Sequence, residues 1–298
     1  MDRFYLHPPL REVSEAVSRA LDEDISALGD LTAQLLRPGS TATLDVVARR
    51  DGVVAGERCV KETFRQIDAD IRVDWAVPDG ERVVSGDVIA TVFGAHGNIL
   101  TAERTALNFL GHLSGVATLT RKFVDAVVAV GSRAQILDTR KTTPGIRSLE
   151  KAAVRAGGGR NHRSSLSDAI LIKDNHLKEM SISDAVGRAR DMWPGRTIEV
   201  ECDNFSQVSE ALDAGANTVL LDNMNPDEAA RCVDFVGTKN GGSTRMLVEI
   251  SGGVTLANIK EYASTGADLI SIGSLTHSAP SLDVALDVSE ALDDGGNA

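Results

Sequence analysis

The chain has little of what several common chemistries require. Three cysteines, Cys59, Cys202 and Cys232, are scattered over 298 residues without a C-x-x-C spacing. That argues against a disulfide framework or a thiolate metal centre, and a reduced, cytoplasmic setting is expected. Positive charge is in deficit, with 31 Lys and Arg against 43 Asp and Glu for a net charge of −12. This balance argues against binding nucleic acid polymers. Long apolar runs are also missing. The best candidate, Leu100 to Val130, is interrupted by Glu103, Arg104, Asn108, His112, Arg121, Lys122 and Asp125, so no membrane association is expected. The opening Met1-Asp-Arg-Phe-Tyr-Leu-His lacks the apolar core of a signal peptide.

A hydrophobic fraction of 42% over this length is enough for a full core without covalent staples. The charge is unevenly spread. From Arg133 to Lys178 there are ten Lys and Arg against four Asp and Glu, a local +6 that leaves −18 on the rest. A basic island in an acidic chain points to a small anionic ligand rather than a polymer, although a solvated helix face gives the same count.

Two textures follow one another. Residues 1–116 mix helices with short strands. Pro9 to Leu21 and Glu57 to Ile67 have helical spacing, Thr41 to Arg50 alternates like a strand, and Val77 to Val92 breaks into short apolar runs at Gly and Asp turns. Thr101 is expected to cap a helix, with Glu103 in its first turn. From about residue 133, six short apolar runs alternate with helical segments: Gln135–Leu137, Ala169–Ile172, Thr197–Val200, Thr218–Leu221, Met246–Ile250 and Leu269–Ile272. Continuous apolar strands between helices predict a parallel sheet covered by helices, and their spacing suits a (β/α) barrel. A doubly wound open sheet is the alternative, but no G-x-G-x-x-G follows its first strand.

Each run ends in groups suited to chemistry: Asp138 with Arg140 and Lys141, Lys173 with Asp174, Glu201, Asp222 with Asn223, Ser251-Gly252-Gly253, and Gly273-Ser274. A barrel would gather such groups at one mouth. The two glycine turns would offer backbone N–H groups to a phosphate, with His277 close behind the second. Glu201 and Asp222 would hold Mg²⁺, directly or through its waters, act as acid and base, or pair with a lysine. Glu199 shares the face of Glu201, which leaves the choice of carboxylate open. Arg140, Lys141, His162 and Arg163 form the most specific cluster. Planar guanidiniums match carboxylates bidentately, so two of them suit a ring bearing two carboxylates.

These residues resemble the quinolinate phosphoribosyltransferase family over nearly the whole chain. The likeness runs through Thr101-Ala-Glu-Arg-Thr-Ala-Leu-Asn, Asp138-Thr-Arg-Lys-Thr-Thr-Pro-Gly, Gly157-Gly-Gly-Arg-Asn-His-Arg, Ile172-Lys-Asp-Asn-His, Glu199-Val-Glu, Leu220-Leu-Asp-Asn, Glu249-Ile-Ser-Gly-Gly and Gly273-Ser-Leu-Thr-His-Ser. The resemblance implies an α/β fold: an N-terminal α/β sandwich (1–116, with the tail 277–298 packed on it) and a C-terminal open (β/α) barrel (117–276). It implies transfer of phosphoribosyl from phosphoribosyl pyrophosphate to quinolinate with loss of CO₂, assisted by Mg²⁺. It places Arg104, Arg140, Lys141, His162, Arg163 and Lys173 around quinolinate, with Arg104 supplied by a neighbouring subunit of a homodimer or higher oligomer. It places Lys141, Lys173, Glu201, Asp222, Ser251, Gly252, Gly253, Gly273, Ser274 and His277 around phosphoribosyl pyrophosphate, and makes Lys141, Glu201 and Asp222 catalytic. Competing expectations are a nicotinate-type enzyme without decarboxylation, a molybdenum-transport-linked relative, and a non-catalytic anion-binding protein.

Overall fold

The structure, a computed structural model, describes residues 7–239 and 245–289. The opening residues and the end of the 277–298 tail, on which two of the expectations above fall, lie partly outside that range. In chain order the elements are α1 (Leu10–Asp24), β1 (Thr41–Ala48), β2 (Gly52–Val53), α2 (Glu57–Ile67), β3 (Arg72–Trp75), β4 (Arg82–Val83), β5 (Val88–Ala95) and α3 (His96–Ala129). There follow β6 (Gln135–Leu137), α4 (Arg147–Ala156), β7 (Ile170–Ile172), α5 (Ile182–Met192), β8 (Ile198–Cys202), α6 (Phe205–Asp213), β9 (Thr218–Asp222), α7 (Pro226–Lys239), β10 (Leu247–Ser251), α8 (Ile259–Ala263), β11 (Leu269–Ser271), α9 (Ser274–His277) and β12 (Val284–Val288).

The chain forms two compact units. The first gathers the chain up to Arg121, Thr142–Gly158 and the segment from Leu275. Its antiparallel sheet runs β12-β1-β5-β3, and Leu44, Val46, Ile89, Val92, Phe64, Ile99 and Leu110 fill one core. The returning segment crosses α3 where two glycines, Gly111 and Gly115, remove the side chains. A Cβ on Gly115 would lie 2.2 Å from the Pro280 carbonyl oxygen, and Leu282 N–H donates to the Gly111 carbonyl at 2.8 Å.

Helix α3 begins five residues before Thr101. Thr101 is therefore not a cap. Its hydroxyl donates to the Gly97 carbonyl one turn earlier and to Asp30, while the first N–H of the helix, that of His96, is held by the carbonyl of Ser40 just before β1.

The second unit comprises Lys122–Lys141 and Gly159–Ser274. Its six strands are parallel in the order β6-β11-β10-β9-β8-β7. Outward residues such as Val200, Val219, Leu221, Val248, Ile250 and Ile270 are buried. The alternate residues face inward. Register pairs Leu220 with both Glu201 and Glu249, and Asp222 with Ser251.

The sheet does not close between β6 and β7. The other side of β6 is taken by Arg160, whose N–H donates to Ile136 at 2.8 Å and whose carbonyl accepts from Asp138 at 3.3 Å. This single parallel bridge brings the loop that follows, with His162 and Arg163, alongside the end of β6.

Candidate active site

A cavity of about 310 Å³ opens in the second unit. Thr139, Arg140, Lys141, His162, Arg163, Lys173, Glu201, Asp222, Glu249 and Ser251 line it, together with Leu171, Leu220 and Ser271. Eight of the residues expected from sequence are thus brought together: Arg140, Lys141, His162, Arg163, Lys173, Glu201, Asp222 and Ser251. Gly252, Gly253, Gly273, Ser274 and His277 are not among the lining residues. His277 is exposed, with its ring nitrogen 2.6 Å from the Ser278 hydroxyl. Arg104 lines a separate cavity of about 260 Å³ in the first unit, with Asn108 and His112.

Local chemistry explains these placements. Asp138, expected to face the mouth, is wholly buried instead. It accepts the Asn161 amide at 2.5 Å and the His162 backbone N–H at 2.9 Å. Its charge is used to fix the loop beside β6. Past it, the Thr139 hydroxyl accepts the Lys141 N–H at 3.0 Å, a side-chain turn that presents the lysine. The buried Glu150 accepts the Thr143 N–H at 3.0 Å and pins the chain beyond Lys141.

After β10 the backbone takes positive φ at Gly252 and Gly253. A Cβ at Gly252 would lie 2.2 Å from the Asn223 side-chain oxygen, so glycine is required there for close approach. The following helix α8 starts only at Ile259. The turn therefore does not open directly onto a helix N-terminus.

The electrostatics divide the cavity. Burial, followed by the neighbouring Arg140 cation, pulls the Arg163 guanidinium below its ordinary value. Two guanidiniums that repel each other at one wall are relieved by an anion between them. Lys173 Nζ lies 2.5 Å from Glu201 Oε2, so that carboxylate is already partly neutralised. Asp222 accepts from the Asn223 amide at 2.8 Å.

His162 Nε2 is 2.9 Å from Glu199 Oε2 and 3.6 Å from Glu249 Oε2. These three residues hold donor atoms within 4.8 Å of one another. The nitrogen that a metal would need is already hydrogen-bonded to Glu199, so the group reads as an acid–imidazole cluster. Burial, and next the Glu199 charge, push the Glu249 carboxyl up to about 8, while His162 pulls the other way.

Glu249 is the functional candidate that strand-end reasoning passed over. Its signal was a carboxylate two residues inside an apolar strand, on the face of Ser251. The cysteines supply no chemistry. All three are free and buried, and burial raises the thiols of Cys59 and Cys202 to about 12. No helix among the described residues is long and apolar enough to cross a membrane.

An open parallel (β/α) barrel with a cationic mouth over paired carboxylates defines an enzyme of small, multiply charged anions. Comparison with known proteins narrows that class. Residues 30–114 match the quinolinate phosphoribosyl transferase N-terminal domain and residues 116–287 its C-terminal domain. The chain belongs to the quinolinate phosphoribosyl transferase family. It is 41% identical over 279 residues to the nicotinate-nucleotide pyrophosphorylase (carboxylating) of Mycobacterium leprae, covering 92% of this chain and 96% of that one. It is 40% identical over 268 residues to the probable enzyme of that name from Bacillus subtilis, covering 89% and 90%. The solved nicotinate-nucleotide pyrophosphorylase from Francisella tularensis superposes with a TM-score of 0.88 at 36% identity, over 95% of this chain and 98% of that one.

Proposed function

We propose that this chain transfers phosphoribosyl from phosphoribosyl pyrophosphate to the ring nitrogen of quinolinate, releasing pyrophosphate and CO₂ and leaving nicotinate mononucleotide, a step of NAD biosynthesis. The observation that carries this reading is the wall formed by Arg140, His162 and Arg163. Its mutually repelling guanidiniums match a planar ligand with two carboxylates.

The residues divide the work by charge. Arg140, Arg163 and His162 fix the two carboxylates and orient the ring nitrogen toward the sugar. Holding the reactants in line is itself a large part of catalysis. Lys141 and Lys173 offset the charge that builds on the departing pyrophosphate. Glu201 and Asp222 favour the positive charge of an oxocarbenium-like sugar. Alkylation makes the ring nitrogen cationic. The electron pair left at the adjacent carbon as CO₂ departs is thereby stabilised.

Glu201 and Asp222 are hard oxygen donors, the type Mg²⁺ takes beside a polyphosphate. With Glu201 tied to Lys173, Asp222 is the better placed of the two. When bound, the ion supplies charge neutralisation for the phosphates. Ser251 and the turns at Gly252, Gly253, Gly273 and Ser274, with His277, are assigned to the phosphates.

The expected result is pyrophosphate release with quinolinate, phosphoribosyl pyrophosphate and Mg²⁺, abolished by a chelator. Release with nicotinate instead would favour the non-decarboxylating rival, and ligand binding without release would favour a non-catalytic protein.

Arg104 is assigned to the site of a second copy, in a homodimer or higher assembly. It is exposed on α3 and lines a different cavity of its own chain. Loss of one charge-assisted contact of about 2 kcal/mol lowers Arg104→Ala about thirtyfold. Mixed with Lys141→Ala, random pairing restores about a quarter of parent activity through one intact site per hybrid. Activity that stays at the average of the two variants contradicts the shared site.

A further inference from the structure

The reaction proposed above leaves a carbanion at the ring carbon that lost CO₂, and a proton must reach it. We infer that Glu249 is the catalytic acid that delivers this proton. The inference rests on the quinolinate reading of the site.

Four observations carry it. Glu249 lines the cavity, yet only 1% of its surface is exposed. Its Oε1 makes no hydrogen bond to any described residue and is shielded from solvent. Glu249 lies beside a second buried carboxyl, Glu199, and both reach toward the same nitrogen of His162. Glu199 has the shorter contact with that nitrogen. Two ionised carboxylates side by side are costly in a buried site. Glu249, the more buried of the two and the one farther from the imidazole, therefore keeps its proton.

Of the other proton-bearing groups at this wall, Lys141 is assigned to the departing pyrophosphate and His162 is held on Glu199. Lys173 is held on Glu201, and Arg140 and Arg163 do not give up protons. A carboxylic acid kept neutral by burial is an established way to hold a proton donor at neutral pH.

The step balances. The bond between ring carbon and carboxylate breaks, and CO₂ leaves without the bonding electron pair. That pair takes the Glu249 proton to form the new C–H bond, and Glu249 becomes a carboxylate. Water then reprotonates it after product leaves. Until the proton arrives, CO₂ loss is reversible, so the acid governs CO₂ escape and not the earlier displacement of pyrophosphate.

Rapid-quench single turnovers on the full-length enzyme separate the two events. Glu249→Gln keeps the shape and removes the transferable proton. Pyrophosphate is expected within threefold of the parent rate, while CO₂ and mononucleotide form about a hundredfold more slowly, the usual size of a general-acid contribution. Glu249→Asp, which keeps an acid, recovers much of the lost CO₂ rate. Glu249→Gln releasing CO₂ in step with pyrophosphate, at either the normal or a reduced rate, overturns the assignment. So does an Asp variant no better than Gln. A parent enzyme that makes no mononucleotide from quinolinate fails the functional reading itself, which is a separate outcome.

Discussion

Lys141→Ala is expected to lower kcat by about 10³-fold, the size seen when a charge-stabilising donor is removed from an active site, while leaving the melting temperature within a few degrees of the parent. The two halves of this result come from different features. Lys141 is exposed and lines the cavity, and surface substitutions away from packed features usually change stability by only about 0.5 kcal/mol. The chain on either side of it is held by other groups: the Thr139 hydroxyl before it and the Glu150 carboxylate after it. Its cation meets the charge that builds as pyrophosphate departs, so its loss falls on turnover more than on substrate affinity. Pre-steady-state turnover with a thermal melt on the same sample measures both. Near-normal turnover removes Lys141 from the catalytic set.

Arg140→Ala separates binding from folding in the opposite sense. Truncating one fork of a bidentate carboxylate site is expected to weaken quinolinate about a hundredfold, at about 1.5–3 kcal/mol for hydrogen bonds to a charged group. The variant is therefore expected to gain little thermal stability from added quinolinate. The parent, in contrast, gains stability from quinolinate in proportion to the logarithm of ligand over Kd. A melt series at rising quinolinate reads both effects. Unchanged quinolinate stabilisation in the variant shows that Arg140 does not hold the dicarboxylate.

Sequence was most informative where one physical rule acts alone. The strands of the parallel sheet carry apolar residues on their buried outer face, and Gln135–Leu137 and Thr218–Leu221 matched β6 and β9 to within a residue. Arg140, Lys141, Lys173, Glu201, Asp222 and Ser251 lie at or just past strand ends, and parallel topology alone carries them to one mouth.

Other features depend on tertiary partners that spacing does not encode. Asp138 ends a strand like the others, yet it is buried under the loop that it anchors. His162 and Arg163 reach the site through a one-residue bridge at Arg160, not through a strand. Thr101 has the composition of a cap but sits inside α3, which already starts at His96. Glu249 was hidden by its neighbours. In an apolar run a lone carboxylate looks like a local exception until Glu199 and His162 are seen against it.

The central claim is that one cavity binds a pyridine with two carboxylates and expels one of them as it builds the nucleotide. The most direct measurement supplies quinolinate labelled in the 2-carboxylate, with phosphoribosyl pyrophosphate and Mg²⁺, and counts labelled CO₂ against nicotinate mononucleotide. One CO₂ is expected for each mononucleotide formed, with no product from nicotinate. Mononucleotide formed without labelled CO₂, or efficient use of nicotinate, would contradict it.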